Sequence, residues 1–449
     1  MMHGGPHRLG PPQSVIGAER HARMMPLLNY KLAFCVSRHG GRHGPSHVSA
    51  QRSVEKGEVD VETFNMGRVP PITFGAGRVE KIADLVSGLG GAPVLVIADR
   101  ALADLGVTDR VTQPLASAGV AHELAAEVAG EPKEALIDTL CARARDIGAR
   151  TIIGLGGGAA MDTSKLVAAL ARSGAPAHRF ALAAAPLPAD PIPAIAIPTT
   201  AGTGSEVTRT SIVSTDDGVK NWYWGEQLMF AQAVLDPELT VSLPPHLTAW
   251  TGIDAVAHAL EGATARTTSP AGLLHGLEAL RILSDALPRV VADGADVTLR
   301  GRVLWASTLA GLALHNCNTH MGHNMSHALG SLARVHHGHA TGLALEVSLP
   351  WLVQRPEGRE NYALAAAALG GAAEAKALPE VFSDLMRSCG IPAALPQVCA
   401  PVARDTLAAA MKSEANYMMS QNAACPVGDA DLEEMAGLLM RLPVAEAAV

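Results

Sequence analysis

Asp254 and His258 stand four residues apart in TGIDAVAHALEG, and His323 and His327 repeat that interval in HNMSHALG. His337 follows beside a glycine in VHHGHATG, a stretch that reads as a loop. On a helix, side chains at i and i+4 lie about 6 Å apart on one face, so each pair can grip a single ion. A carboxylate with neutral imidazoles suits a borderline divalent cation such as Fe²⁺ or Zn²⁺. Spacing alone admits either His327 or His337 as the last donor. The chain has 18 histidines, and one helical histidine by itself is ordinarily a packed core or surface residue. Two helical pairs plus the HHG turn carry the metal reading.

A second constellation lies upstream. GLGGGAAMDTSK joins a run of apolar β-formers to a helical segment. Glycines in such a turn let the backbone approach a pyrophosphate, and the following helix presents free N–H groups to it. Gly156, Gly157 and Gly158 would form the cradle. The turn is not a Walker A loop, because Lys165 comes a helical turn too late and no GK[ST] follows. Asp99 ends the preceding strand, APVLVIADRAL, where a carboxylate can accept bonds from ribose hydroxyls and repel a 2′-phosphate. That favours NAD; the adjacent Arg100 keeps NADP as the alternative. PTTAGTGSE adds a hydroxyl-rich turn at the same edge of the sheet.

The elements that position these residues fall into two blocks. From Pro70 onward, strands alternate with helices, which means an α/β layer with a largely parallel sheet. After LDPELTVSLPPHLTAWTGIDA the strands vanish and nearly everything scans as helix. The expected organisation is an α/β nucleotide domain over 63–245 and an all-α domain over 246–449. Residues 1–62 are rich in Gly, His, Arg and Pro without apolar periodicity, and they read as a disordered extension. The 449 residues suit two cores better than one. A formal charge of −8 offers no basic field for nucleic acid. No apolar run is long enough, free of charge and proline, to span a membrane. The six cysteines are scattered without a CxxC pair, which suits reduced thiols in the cytoplasm.

GLGGGAAMDTSK, IPTTAGTGSEVT, LDPELTVSLPP, TGIDAVAHALEG, HNMSHALG and HHG, in this order and spacing, resemble the iron-containing (group III) alcohol dehydrogenases. The similarity runs from about Val69 to near the C-terminus. It implies a dehydroquinate-synthase-like fold, with an N-terminal Rossmann-like nucleotide domain, a C-terminal helical metal domain and a cleft between them. Carried over by position, it assigns the metal to Asp254, His258, His323 and His337, and leaves His327 beside the nicotinamide as the catalytic residue. It assigns the dinucleotide to Asp99, Gly156, Gly157, Gly158, Asp162, Lys165, Thr199 and Thr200. Family habit further implies a homo-oligomer.

The activity so implied is hydride transfer between an alcohol or aldehyde and NAD(P), with Fe²⁺ or Zn²⁺ as Lewis acid. Maleylacetate reductases and hydroxyacid–oxoacid transhydrogenases of the same fold are the near alternatives. A lyase of the dehydroquinate synthase type is the more distant one, and it would need a basic, anion-binding pocket. Asn324 departs from the family motif, where glycine follows the first histidine. With 3% aromatic residues, the pocket is expected to be walled by small and aliphatic groups.

Overall fold

The computed structural model describes residues 63–215 and 218–445. The extension expected to be disordered over 1–62 lies outside the described residues.

Six strands form one parallel sheet: β1 (Ile72–Phe74), β2 (Val94–Asp99), β3 (His122–Val128), β4 (Thr151–Gly156), β5 (Ala194–Pro198) and β8 (Gln232–Leu235), in the order β1-β8-β5-β4-β2-β3. β2, β4 and β5 read as apolar runs because both faces of the sheet are covered, which is the usual condition of parallel strands. The covering helices are α1 (Ile82–Leu89), α2 (Arg100–Asp104), α3 (Asp109–Ser117), α4 (Glu134–Asp146) and α5 (Gly158–Leu170). An antiparallel hairpin that the sequence reading did not anticipate, β6 (Thr210–Ser214) with β7 (Lys220–Trp224), interrupts the alternation before β8.

From Pro245 the chain is helical: α6 (Pro245–Thr264), α7 (Pro270–Ala292), α8 (Val297–Cys317), α9 (Met321–Leu332) and α10 (His337–Leu352), then α11 (Arg359–Ala368), α12 (Leu378–Ser388), α13 (Arg404–Met411), α14 (Glu414–Ser420) and α15 (Asp429–Leu439). α6 is the axis of this half. Every residue from Gly252 to Thr264 is buried, so over this stretch the helix has no solvent face. Small residues make that possible: a methyl at Gly262 would come 2.9 Å from Ala313 Cβ on α8, and one at Gly276 on α7 would come 2.5 Å from Ala259 O. Burial on every side also means that any charge on α6 must find a partner, because an isolated buried charge costs several kcal/mol or more.

The sheet and helical layers belong to one compact unit, residues 65–449. Gly204, in the turn after β5, packs so closely on Gly311 of α8 that a methyl at Gly311 would stand 2.6 Å from Gly204 O. Among the described residues no helix is long and apolar enough to cross a membrane, and Cys141, Cys317, Cys389, Cys399 and Cys425 are all free and buried.

Candidate active site

α6 carries Asp254 and His258 one turn apart, both almost fully buried. α9 brings His323 against them, and α10 brings His337. The donor atoms of Asp254, His258 and His323 all lie within 4.8 Å of one another. His323 Nε2 is 3.8 Å and His337 Nε2 is 3.5 Å from Asp254 Oδ1. The rings of His258 and His323 stack with centroids 4.6 Å apart, and those of His323 and His337 are 5.4 Å apart. Asp254 Oδ1 and His323 Nε2 are buried without a hydrogen-bond partner. Unpartnered buried polar atoms are costly, and these two face a common centre. A divalent cation fits such a donor set of one carboxylate and imidazole lone pairs.

The electrostatics keep the lone pairs of His258 and His337 available. Burial pushes the His258 imidazole below its ordinary range, against the pull of Asp254. His337 is pushed well below by burial, reinforced by His327, His323 and the Lys220 ammonium. His323 differs: burial disfavours its cation, but Glu261 and Asp254 outweigh that and raise it. Glu261, fully buried on α6, is drawn down to about 2, because His320 and His323 overcome the burial that would raise it.

Two orienting bonds aim the rings. His323 Nδ1 is 2.5 Å from Glu261 Oε2, and His258 Nδ1 is 3.3 Å from the carbonyl of Gly202. The second bond ties the cluster to the sheet, because Gly202 lies in the turn after β5. That turn in turn touches the glycine-rich one: methyls on Gly157 and Gly158 would stand 3.4 Å from Thr200 and 2.7 Å from Thr203. The turn after β5 therefore links the histidine cluster to the β4–α5 turn at the C-terminal edge of the sheet, the edge where ligands of open α/β sheets bind.

At that turn, Gly157 precedes α5 with no side-chain cap, so the N–H groups of its first turn have no side-chain acceptor. Gly156 has φ +149°, and a methyl there would overlap Asp99 Oδ2. Asp99 does not cap α2, the helix it precedes. Its Oδ2 accepts the Gly157 N–H at 2.8 Å, and burial raises its pKa despite that bond.

A family model for iron-containing alcohol dehydrogenases matches residues 70–237, and its C-terminal counterpart matches residues 248–425. The chain belongs to the iron-containing alcohol dehydrogenase family. It is 34% identical over 288 residues to long-chain-alcohol dehydrogenase 1 of Geobacillus thermodenitrificans, covering 64% of this chain and 73% of that one. It is 31% identical to the sulfoacetaldehyde reductase of Bilophila wadsworthia, over 68% and 78% of the two chains. Among solved structures, the sulfoacetaldehyde reductase of Bifidobacterium kashiwanohense in complex with NAD⁺ superposes with a TM-score of 0.77 at 25% identity, over 85% of this chain and all of that one. As a member of this family the chain is an oxidoreductase of the alcohol dehydrogenase type.

Other residues singled out in the sequence are placed as follows. His337 opens α10 rather than lying in a loop, with His336 as its N-cap. His327 stands one turn beyond His323, its ring centroid 6.1 Å from His323 and 5.1 Å from His337; burial, then Lys220 and His323, hold it well below the ordinary range. Asp162 and Lys165 spend their polar atoms on the segment after the threonine turn. Asp162 accepts from Ser205 Oγ at 2.7 Å and Ile212 N at 2.8 Å, while Lys165 Nζ donates to Thr208 Oγ1 at 3.0 Å and Thr210 O at 2.7 Å. Thr199 N donates to Gly156 O at 2.9 Å, joining the two turns. Asn324 donates to Met411 O and Asn416 O, each at 2.9 Å, which fastens α9 to the C-terminal helices.

Two residues escaped the sequence reading. Lys220 of β7 pairs with Glu131 at 2.5 Å, and a methyl at Gly330 of α9 would lie 3.3 Å from its Nζ, so the unanticipated hairpin delivers a cation to the helical half. Glu261 was visible in HALEG; its position in an alanine-flanked helix with no polar face was the signal that it had to be paired.

Proposed function

We propose that this protein interconverts small alcohols and aldehydes with NAD, using a divalent cation held by Asp254, His258, His323 and His337. The carrying observation is the pair of buried, unpartnered atoms Asp254 Oδ1 and His323 Nε2, in a cluster bonded through Gly202 to the turn beside the glycine cradle. When bound, the cation supplies Lewis acidity toward the alcohol oxygen and the nicotinamide accepts the hydride. The donor set supports iron, with zinc as the alternative.

The chain's own residues do the rest. Gly156, Gly157, Gly158 and the first turn of α5 hold the pyrophosphate. Asp99, fixed through one oxygen by Gly157, keeps the other for ribose hydroxyls and disfavours a 2′-phosphate, hence NAD before NADP. Asp162 and Lys165 brace the segment after the threonine turn and bound the dinucleotide site together with Thr199 and Thr200, whose hydroxyls face the cofactor. His327, kept neutral by its surroundings, takes the hydroxyl proton or orients the nicotinamide. We place the domain boundary between residues 245 and 246, and read the enzyme as a cytoplasmic homo-oligomer that engages neither nucleic acid nor membrane.

The test is elemental analysis of anaerobically purified protein, followed by NAD and NADP reduction over a panel of alcohols and hydroxy acids. Bound divalent metal and faster turnover with NAD are expected. Asp254→Ala and His258→Ala lose metal and turnover and still bind NAD. Full turnover by metal-stripped protein overturns the metal assignment, and faster turnover with NADP overturns the cofactor preference.

A further inference from the structure

Glu261 lies seven residues beyond Asp254 and three beyond His258, which puts all three on one side of α6. Each of its oxygens is engaged by the turn that opens α9. Oε1 accepts from Gly322 N at 2.6 Å; Oε2 accepts from His320 N at 3.1 Å and lies 2.5 Å from His323 Nδ1. α9 has no side-chain cap of its own, so this carboxylate from another helix serves its first N–H groups. The same carboxylate selects the tautomer of His323. An ionised carboxylate only accepts, so the facing Nδ1 must carry the hydrogen. Nε2 then keeps its lone pair, and Nε2 is the unpartnered atom 3.8 Å from Asp254 Oδ1.

We infer that Glu261 is the positioning residue of the cation cage: it docks the start of α9 on α6 and fixes the His323 tautomer, so that Nε2 meets the cation as a free donor. This rests on reading Asp254, His258, His323 and His337 as that cage. Glu261→Gln keeps the volume but must turn an amide NH₂ toward one of these donors. Turned to His323, the amide donates to Nδ1 and drives the ring hydrogen onto Nε2, where it opposes a cation. Turned to Gly322, it sets donor against donor and lifts the first turn of α9.

The experiment measures the Zn²⁺ affinity of metal-stripped protein against a chromophoric chelator, well below the melting temperature, with circular dichroism and NAD binding as checks on folding. Glu261→Gln is expected to weaken zinc binding by about 10–100-fold, the usual cost of losing a group that orients a metal-binding histidine. Asn324→Ala is the comparator: it frees α9 from Met411 and Asn416 while leaving the Glu261–His323 bond in place, and should lower the melting temperature with zinc affinity unchanged. Asp254→Ala tests the cage itself. If Asp254→Ala keeps wild-type affinity, the cage reading fails; if it loses zinc while Glu261→Gln does not, the Glu261 inference alone fails. Equal losses in Asn324→Ala and Glu261→Gln also overturn it, since a loosened helix would then suffice. Should Glu261→Gln not fold, Glu261→Asp, which keeps the charge but withdraws it from His323 by one methylene, is read by the same criteria.

Discussion

Gly156→Ala tests whether the β4–α5 turn is built for close approach to a cofactor. At φ +149° a side chain is strained, and residues forced into such regions cost about 1–3 kcal/mol. The added methyl also overlaps Asp99 Oδ2 and stands 2.7 Å from Ala160 Cβ, so relief must come from Asp99. Swinging that carboxylate away forfeits its bond from Gly157 N, and a hydrogen bond to a charged group contributes about 1.5–3 kcal/mol. The sum, about 2.5–6 kcal/mol, approaches the smaller of typical folding stabilities, about 5–15 kcal/mol. The variant should fold but unfold at markedly lower urea.

A comparator separates strain from collision. Gly148 has φ +63° and open space where a methyl would go, so Gly148→Ala should cost only the left-handed backbone penalty, about 1–2 kcal/mol. Chemical unfolding of both variants gives the difference directly. Binding of NAD, followed by fluorescence, should weaken at least about tenfold in Gly156→Ala, or about 1.4 kcal/mol, because the proposed cofactor site includes both the displaced Asp99 and the re-aimed Gly157 N–H. Zinc affinity should not change. Equal stability of the two variants, or wild-type NAD affinity in Gly156→Ala, would refute the reasoning.

Two further perturbations probe the framework. Burial lowers the Lys165 ammonium to about 8 against the pull of Asp162 and Glu206, below its value in the unfolded chain. Between pH 8 and 10.5 the unfolded state then binds the extra proton, so deprotonation favours the fold. Wild type should therefore gain stability relative to Lys165→Met by up to about 1.4 kcal/mol per pH unit across that window, read by urea unfolding; parallel pH profiles would refute it. Gly338→Ala on α10 would put a methyl over Trp250 O, 2.8 Å from Trp250 C and 3.1 Å from Asp254 Cβ, all rigid parts of α6. α10 must withdraw and carry His337 away from Asp254, at a cost of about 1–3 kcal/mol and with weaker zinc binding in chelator competition; unchanged affinity would show that His337 does not contribute.

What the sequence made legible was whatever obeys a local period. Apolar runs ending in glycine turns located β4 and β5, and the i, i+4 pairs located the faces of α6 and α9 that meet. Periodicity could not say how far along a face the convergence extends. His323 and His327 lie on one side of α9, yet only His323 has Glu261 behind it to turn its ring toward Asp254, while His327 lies beyond that reach. His337 was misread as a loop residue because HHG carries no Ser, Asp or Asn to mark a helix start, and the structure caps α10 with His336 without a side-chain bond. Lys220 was hidden for another reason: its reach to Gly330 joins residues more than a hundred positions apart through a hairpin between two layers, and no window of sequence spans that. Glu261 falls between these cases. A helix of Ala, Val, Leu and Gly around Asp254, His258 and Glu261 has no polar face, so each of the three charges or dipoles had to be answered from another element. The pattern therefore announced that a buried polar cluster exists, and tertiary contact alone decided that Asp254 and His258 face the open centre while Glu261 supports a ring from behind.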